Sequence, residues 1–282
     1  VRCALCAEIP TTNHKSPITK KIMTDNQKYA SSIFFKSAIP LLKVVATDTP
    51  LGLKLKGKSF VLQLSAIDEG VKYATHFVIE SGEFKTVLSV HESPDIELSF
   101  PNIDHFVNFM AGKTMKLPKI KGAMKNFGAF ISVMRLLLKM ASLLQAKDLP
   151  KKEADRVLLV KLYFYLLSGG ISQLNKAGHP EVKEWAQKSP DRVYAFAVNG
   201  MPEVSAWVRV KAGNSKAGRG EYERCMPFFR MRFDSIESAL NILLQKADML
   251  SYTAESKLIM DGAPEFGGQL GQFMMIIAGF AK

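Results

Sequence analysis

Cysteine is scarce in this chain, with three in 282 residues. That excludes a disulfide framework and makes a reducing compartment the simpler expectation. Cys3 and Cys6 stand at the spacing of a metal or redox pair with His14 nearby, but no second pair follows, so no zinc site is expected. The five histidines at positions 14, 76, 91, 105 and 179 form no i, i+4 pair. A Gly-x-Ser-x-Gly elbow is missing, and no constellation of acid, base and nucleophile emerges. These absences predict a protein without catalysis, metal or cofactor. Long uninterrupted apolar runs are missing too. Phe127 to Leu144 is broken by Arg135 and Lys139, and Phe273 to Ala281 falls short of the roughly 20 residues a bilayer needs. The first residues carry no long apolar leader core, so the expectations are no membrane span and a cytoplasmic location.

Charge is present in excess. Lysine and arginine number 38 against 26 acidic residues, a net charge of +12 that favours anionic partners. The excess leans to the first half, with 20 basic and 12 acidic residues in positions 1 to 150. Nine lysines lie between positions 15 and 58 against Asp25 and Asp48, and Lys113, Lys116, Lys119, Lys121 and Lys125 follow with no acid among them. Arginine, the side chain that reads bases and phosphates bidentately, is absent from both stretches. They therefore read as lysine patches for an anionic membrane surface rather than for nucleic acid. The candidate docking residues are Lys54, Lys56, Lys58, Lys113, Lys116, Lys119 and Lys121.

A chain of this length predicts about two domains. Apolar residues from Ile18 and Ile22 to Leu42 recur at helical spacing, interrupted at Pro40. Period-two alternation then predicts strands at Phe60 to Leu64, Val71 to Ile79, Thr86 to Val90 and Ile96 to Phe100. Asn102 should cap a helix through Met110. A lysine-rich strand Met115 to Lys121 and a long apolar helix from Phe127 follow. The order then repeats. Helices at Ala154 to Leu167 and Pro180 to Gln187 precede strands at Arg192 to Val198, Val204 to Lys211, Tyr222 to Arg224 and Phe228 to Phe233. Asp234 should cap the next helix, with a strand Lys257 to Met260 and a helix Phe266 to Phe280 closing the chain. Phe100-Pro-Asn-Ile103 matches Phe233-Asp-Ser-Ile236, and Gly122-Ala123 matches Gly262-Ala263, after an insertion of about seven residues. The expected division is a lead and helical extension over 1–50, a first domain over 51–150, a helical connection over 151–190 and a second domain over 191–282.

The repeated unit of hairpin strands, capped helix, closing strand ending on glycine and apolar helix resembles the sterol carrier protein 2 family. In the first half the resemblance is carried by Ile96-Glu-Leu98-Ser-Phe100, the helix Ile103 to Met110, Gly112-Lys113 and Lys119-Ile120-Lys121-Gly122. In the second it is carried by Trp207 to Lys211, the glycine-rich hairpin Gly213 to Gly220, Phe229 to Phe233 and Lys257 to Gly262. The resemblance implies an α+β chain of two tandem domains. Each would hold an antiparallel-rich five-stranded sheet covered by helices, with an apolar tunnel for a sterol or fatty acyl chain. The first half lacks an apolar hairpin segment after Gly112-Lys113, and the second has Gln245-Lys246-Ala247-Asp248 where Gly-Lys is expected.

Thirteen methionines and eighteen phenylalanines suit a site that adapts to apolar ligands. Candidate tunnel walls are Phe106, Met110, Phe127, Phe130, Ile131 and Met134 in the first half. Leu240, Phe266, Phe273, Met274 and Ile277 are their counterparts in the second. The expected function is non-enzymatic lipid binding and transfer. Two alternatives accompany it: an accessory scaffold whose duplicated domains bind a protein partner, and nucleotide binding through Gly52-Leu-Lys-Leu-Lys-Gly57-Lys58-Ser59, which fits the phosphate-loop pattern but precedes a strand pattern instead of a helix.

Overall fold

The computed structural model describes residues 23–280. Ile18, Ile22, Cys3, Cys6, His14, Lys15, Lys20 and Lys21 lie outside the described residues. Helix α1 (Asp25–Ile33) starts at a capping box in which the Thr24 side chain accepts from the Gln27 amide and Gln27 reaches back to the Thr24 backbone. A π-helical segment, Phe34–Ala38, and a 3-10 turn, Ile39–Leu41, carry the chain into α2 (Leu42–Asp48). The tighter turn holds Pro40, so the proline changes the winding without ending the helical run.

Three antiparallel strands follow, β1 (Phe60–Asp68), β2 (Val71–Glu80) and β3 (Glu83–Val87). Strand β4 (Ile96–Phe100) returns parallel to β1, and β5 (Lys119–Lys121) closes the sheet antiparallel to β4. Helix α3 (Ile103–Met110) connects β4 to β5, and α4 (Phe127–Leu144) follows. Helices α5 (Glu153–Ala177) and α6 (Pro180–Lys188) then lead into the second half. This contains β6 (Arg192–Val198), β7 (Ala206–Lys211), β8 (Asn214–Arg219), β9 (Phe229–Phe233), α7 (Ile236–Leu243), α8 (Met249–Ala254), β10 (Leu258–Asp261) and α9 (Pro264–Phe280).

The two five-stranded mixed sheets have the same order, β3-β2-β1-β4-β5 and β8-β7-β6-β9-β10. The chain is thus α+β. Equivalence extends to the caps, since Asn102 accepts from the His105 amide and Ser235 from the Ser238 amide. Gly122 and Gly262 both adopt positive φ after the closing strand. A Cβ on Gly122 would fall 1.8 Å from the Asp95 carbonyl oxygen, which explains why glycine stands there. Helix α5 packs on β7 and β8, while α1 and the π-helical segment pack against α5, so one continuous apolar core joins the two halves.

Several expectations need correction. Helix α5 does not stop at Leu167 but runs ten residues further, through Gly169 and Gly170. Those glycines mark close helix contacts rather than a terminus: a Cβ on Gly169 would meet the Ser37 hydroxyl at 2.8 Å, and one on Gly170 would meet Ile277 at 2.8 Å. Tyr222–Arg224 forms no strand. The neighbour of β7 is β8, within the expected hairpin Gly213 to Gly220, and Trp207 pairs across the ladder with Gly218. A Cβ on Gly218 would sit 2.1 Å from the indole, so the ring covers the glycine. Ser235, not Asp234, is the cap of α7. Helix α8 fills the insertion that the repeat offset required, and only Lys119–Lys121 of the lysine-rich segment pairs as strand.

The expectation of no bilayer-length segment is also corrected. Asp25–Asp48, Phe127–Leu144 and Glu153–Ala177 are long and apolar enough to cross a membrane by length and composition. Hydropathy averaged over a window tolerates the isolated charges that interrupt an unbroken run. In the first and third, 72% of the most apolar window is buried in the protein core, against 33% for Phe127–Leu144.

Candidate functional site

Helix α4 presents three environments around its circumference. Ala129, Val133, Leu136, Met140 and Leu143 are buried. Phe130, Ile131, Met134 and Leu137 are half-buried, and Phe127 and Leu138 are exposed. Their spacing puts Phe127, Ile131, Met134 and Leu138 on one stripe, since 11 residues is close to three full turns. Beside α4 lies the C-terminal end of α3, where Gly112 approaches the Gln145 amide group. Met110 is half-buried there, whereas Phe106 is fully buried and stacks on Phe35 at 4.0 Å between ring centroids. The first-half wall candidates thus divide into one core residue, Phe106, an accessible apolar strip of Phe130, Ile131 and Met134 that ends at exposed Phe127, and half-buried Met110 near the other end of α4.

In the second half Leu240 is fully buried. Phe273 meets Trp185 edge-on at 5.1 Å, and Ile277 packs over Gly170. Phe266 and Met274 are half-buried. Phe266 lies against Tyr194 and Phe228, and the Arg192 guanidinium sits 3.8 Å above the Phe228 ring. More of the second set is committed to internal packing than of the first.

The lysines named from sequence are exposed except Lys58, which is partly buried. Lys54, Lys56, Lys113, Lys116 and Lys119 form no ion pair with a described residue, whereas Lys121 lies 3.9 Å from Glu97. The segment Gly52 to Ser59 begins with a 3-10 turn, Gly52–Leu55, and runs directly into β1. The order is turn then strand, opposite to the strand, loop and helix of a phosphate loop, so Lys58 does not precede a helix N-terminus in sequence.

A buried polar cluster on the first sheet escaped the sequence reading. Glu97, 5% exposed in its side chain, accepts from Ser65 Oγ at 2.6 Å and Gln63 Nε2 at 3.0 Å, and pairs with Lys72 Nζ at 2.5 Å. Burial alone would raise its pKa, but the bonds from Lys72, Ser65 and Gln63 outweigh it and hold the carboxyl below its ordinary range. Residues 88–95 fold over this cluster. The His91 amide donates to Gln63 Oε1, the His76 ring contacts the Ser89 carbonyl oxygen at 2.7 Å, and the two histidine rings lie 5.2 Å apart. The signal was the polar positions Gln63, Ser65 and Glu97 on neighbouring strands, but their pairing depends on the parallel β1/β4 register.

Two surface cavities accompany these features. One, of about 590 Å³, is lined by Pro40, Lys43, the β3 residues Glu83 to Thr86 and Arg219 of β8; the other, of about 290 Å³, includes Trp185, Phe273 and Gln272. Among the described residues no group of three or more His, Cys, Asp or Glu side chains could hold a metal ion, and Cys225 is exposed.

No protein-family model matches the chain, and no curated protein matches it. Among solved structures it is similar to a conserved hypothetical protein from Thermus thermophilus described as a possible sterol carrier protein. The identity is 18%, over 41% of this chain and 85% of that one, with a TM-score of 0.28. It is also similar to a stereoselective inverting sec-alkylsulfatase from Pseudomonas sp. and to a double mutant of that enzyme. These are each 10% identical over 61% of this chain, with TM-scores of 0.26 and 0.25. This chain spans 30% of the sulfatase's length. Superpositions at such scores leave the functional reading to the residues themselves.

Proposed function

We propose that the protein is a non-enzymatic carrier of apolar ligands with a long hydrocarbon skeleton, built from two sterol-carrier-like units. The carrying observation is the half-accessible strip of Phe130, Ile131 and Met134 along α4 beside a core that is already filled by Phe106, Val133 and Leu136. Flexible thioethers and rings that remain half-accessible offer an acyl or sterol skeleton an apolar bed without emptying the core. Each methylene removed from water contributes about 0.8 kcal/mol, so a long chain needs no dedicated polar contact. The first half is the better candidate for the ligand, because Phe273, Ile277 and Leu240 of the second are buried in packing.

Native mass spectrometry of freshly purified protein, followed by titration with a fluorescent fatty acid, tests the reading. The expected result is bound lipid or saturable uptake that falls at least tenfold in Met134→Glu, with the circular dichroism spectrum preserved. An empty protein that takes up no fatty acid would sink it.

A further inference from the structure

The two lysine stretches, far apart in sequence, meet at one end of α4. The 3-10 turn Gly52–Leu55 packs against α4, and Lys58 Nζ lies 3.2 Å from where a Cβ on Gly128 would be. The chain exposes large apolar side chains here and along the preceding segment. Leu53 is 71% exposed, Met124 88% and Phe127 60%; Met115 (87%) and Leu117 (68%) stand on the loop leading into β5, and Leu138 is 64% exposed farther along the same stripe of α4. The loop that carries Met115 and Leu117 is tied down, because the His105 ring contacts the Lys116 carbonyl oxygen at 2.7 Å. Lys113, Lys116, Lys119, Lys121 and Lys125 alternate with these apolar residues and no acid interrupts them.

We infer that this face, from Leu53 through the 113–127 segment to Leu138, is a membrane-inserting surface. Its apolar side chains enter the acyl boundary of an anionic bilayer while the lysines engage the headgroups. Charge complementarity selects the partner: an apolar centre within a lysine rim matches an anionic lipid surface. Composition separates this from a protein interface. Lysine is depleted in the cores of protein–protein contacts, so a face on which Lys113, Lys116, Lys119, Lys121 and Lys125 alternate with its apolar residues, with Arg135 exposed beside Leu138, fits anionic headgroups better than a protein partner. Projecting methionines and leucines also need no shape-matched pocket in a fluid acyl layer.

The inference deepens the proposed lipid binding, by naming where a ligand would be exchanged, and rests on that reading only for its purpose. Vesicle binding is measurable whether or not a ligand is carried, so each claim fails separately. The full chain should co-sediment with phosphatidylcholine vesicles containing about 30% phosphatidylserine, and much less with phosphatidylcholine alone. About 0.5 M salt should weaken binding without abolishing it, because the apolar contribution is not screened. The double variant Leu117→Asp/Met124→Asp should lose at least tenfold in vesicle affinity with an unchanged circular dichroism spectrum. Leu250→Asp, at an 85% exposed leucine of the second half, should bind like the parent. Absence of vesicle binding overturns the inference, as does equal loss in Leu250→Asp. So does a dimer in light scattering that the double variant dissolves, which would assign the face to a second copy.

Discussion

At the scale of single residues, Glu97 is a buried carboxylate whose three partners, Lys72, Ser65 and Gln63, make its charge a stability element. Its carboxyl is held below the ordinary range in the folded protein, so the unfolded chain binds its proton more readily. The stabilisation is complete above the unfolded value, about pH 4.3, and is lost as pH falls through the depressed folded value. Glu97→Gln should therefore lower stability by about 2 kcal/mol at neutral pH, since Lys72 loses its partner inside a mostly buried pair. It should also flatten the acid side of the pH–stability curve. Urea titrations at pH 7 and at pH 3 check this: a variant that loses as much at pH 3 as at pH 7 would contradict the charge-based account. Gly218 shows a different residue-level constraint, in which a position without a side chain is specified by the indole of Trp207 lying over it.

Among the elements, the capped helices α3 and α7 allow the duplication to be tested energetically. Asn102 and Ser235 each accept from the third amide of their helix, so Asn102→Ala and Ser235→Ala should each cost about 1 kcal/mol by chemical denaturation. A loss at only one of the two sites would show that their caps are equivalent in geometry but not in energy. The sequence made these elements legible because period and cap coincide: Asn102 and the alternating β1 and β4 residues announce themselves locally. Periodicity did not mark β8, whose Ser, Ala and Gly residues carry no apolar alternation and which only the resemblance supplied as the hairpin Gly213 to Gly220, and it cut α5 short because Gly169-Gly170 resembles a stop when its meaning is contact with Ser37 and Ile277. The candidate site was legible in part. Met110, Phe130 and Met134 are half-accessible as a ligand surface requires, but helical spacing gave no means to separate them from Phe106, whose place in the core depends on Phe35, 71 positions earlier. The lysines were visible, while the exposure of Met115, Leu117 and Met124 among them became apparent only when the segment proved to be mostly loop.

On the scale of the whole molecule, α1 and α5 pack against one another between two related halves, and the apolar core is continuous through them. Cooperative unfolding is the expected result. Trp207 lies in the second half and Trp185 in the connecting helix α6, where its ring packs on Tyr194 and Phe273 of that half, so their fluorescence reports on that side of the molecule while far-ultraviolet circular dichroism reports on both. The two urea transitions should coincide. A fluorescence midpoint separated from the dichroism midpoint would show that the halves unfold independently despite the shared core. Duplicating an open sheet also creates four unpaired margins within one polypeptide, each a template for recruiting foreign strands. Here β3 and β8 open onto the same groove, where Glu83, Lys85 and Arg219 place charges beside them. The β5 margin carries Lys119 and Lys121, and β10 is four residues long with Asp261 bridged by Arg230 and Arg232. Brevity and charged rims at these margins give a chain with this much exposed apolar surface a built-in resistance to strand-mediated aggregation.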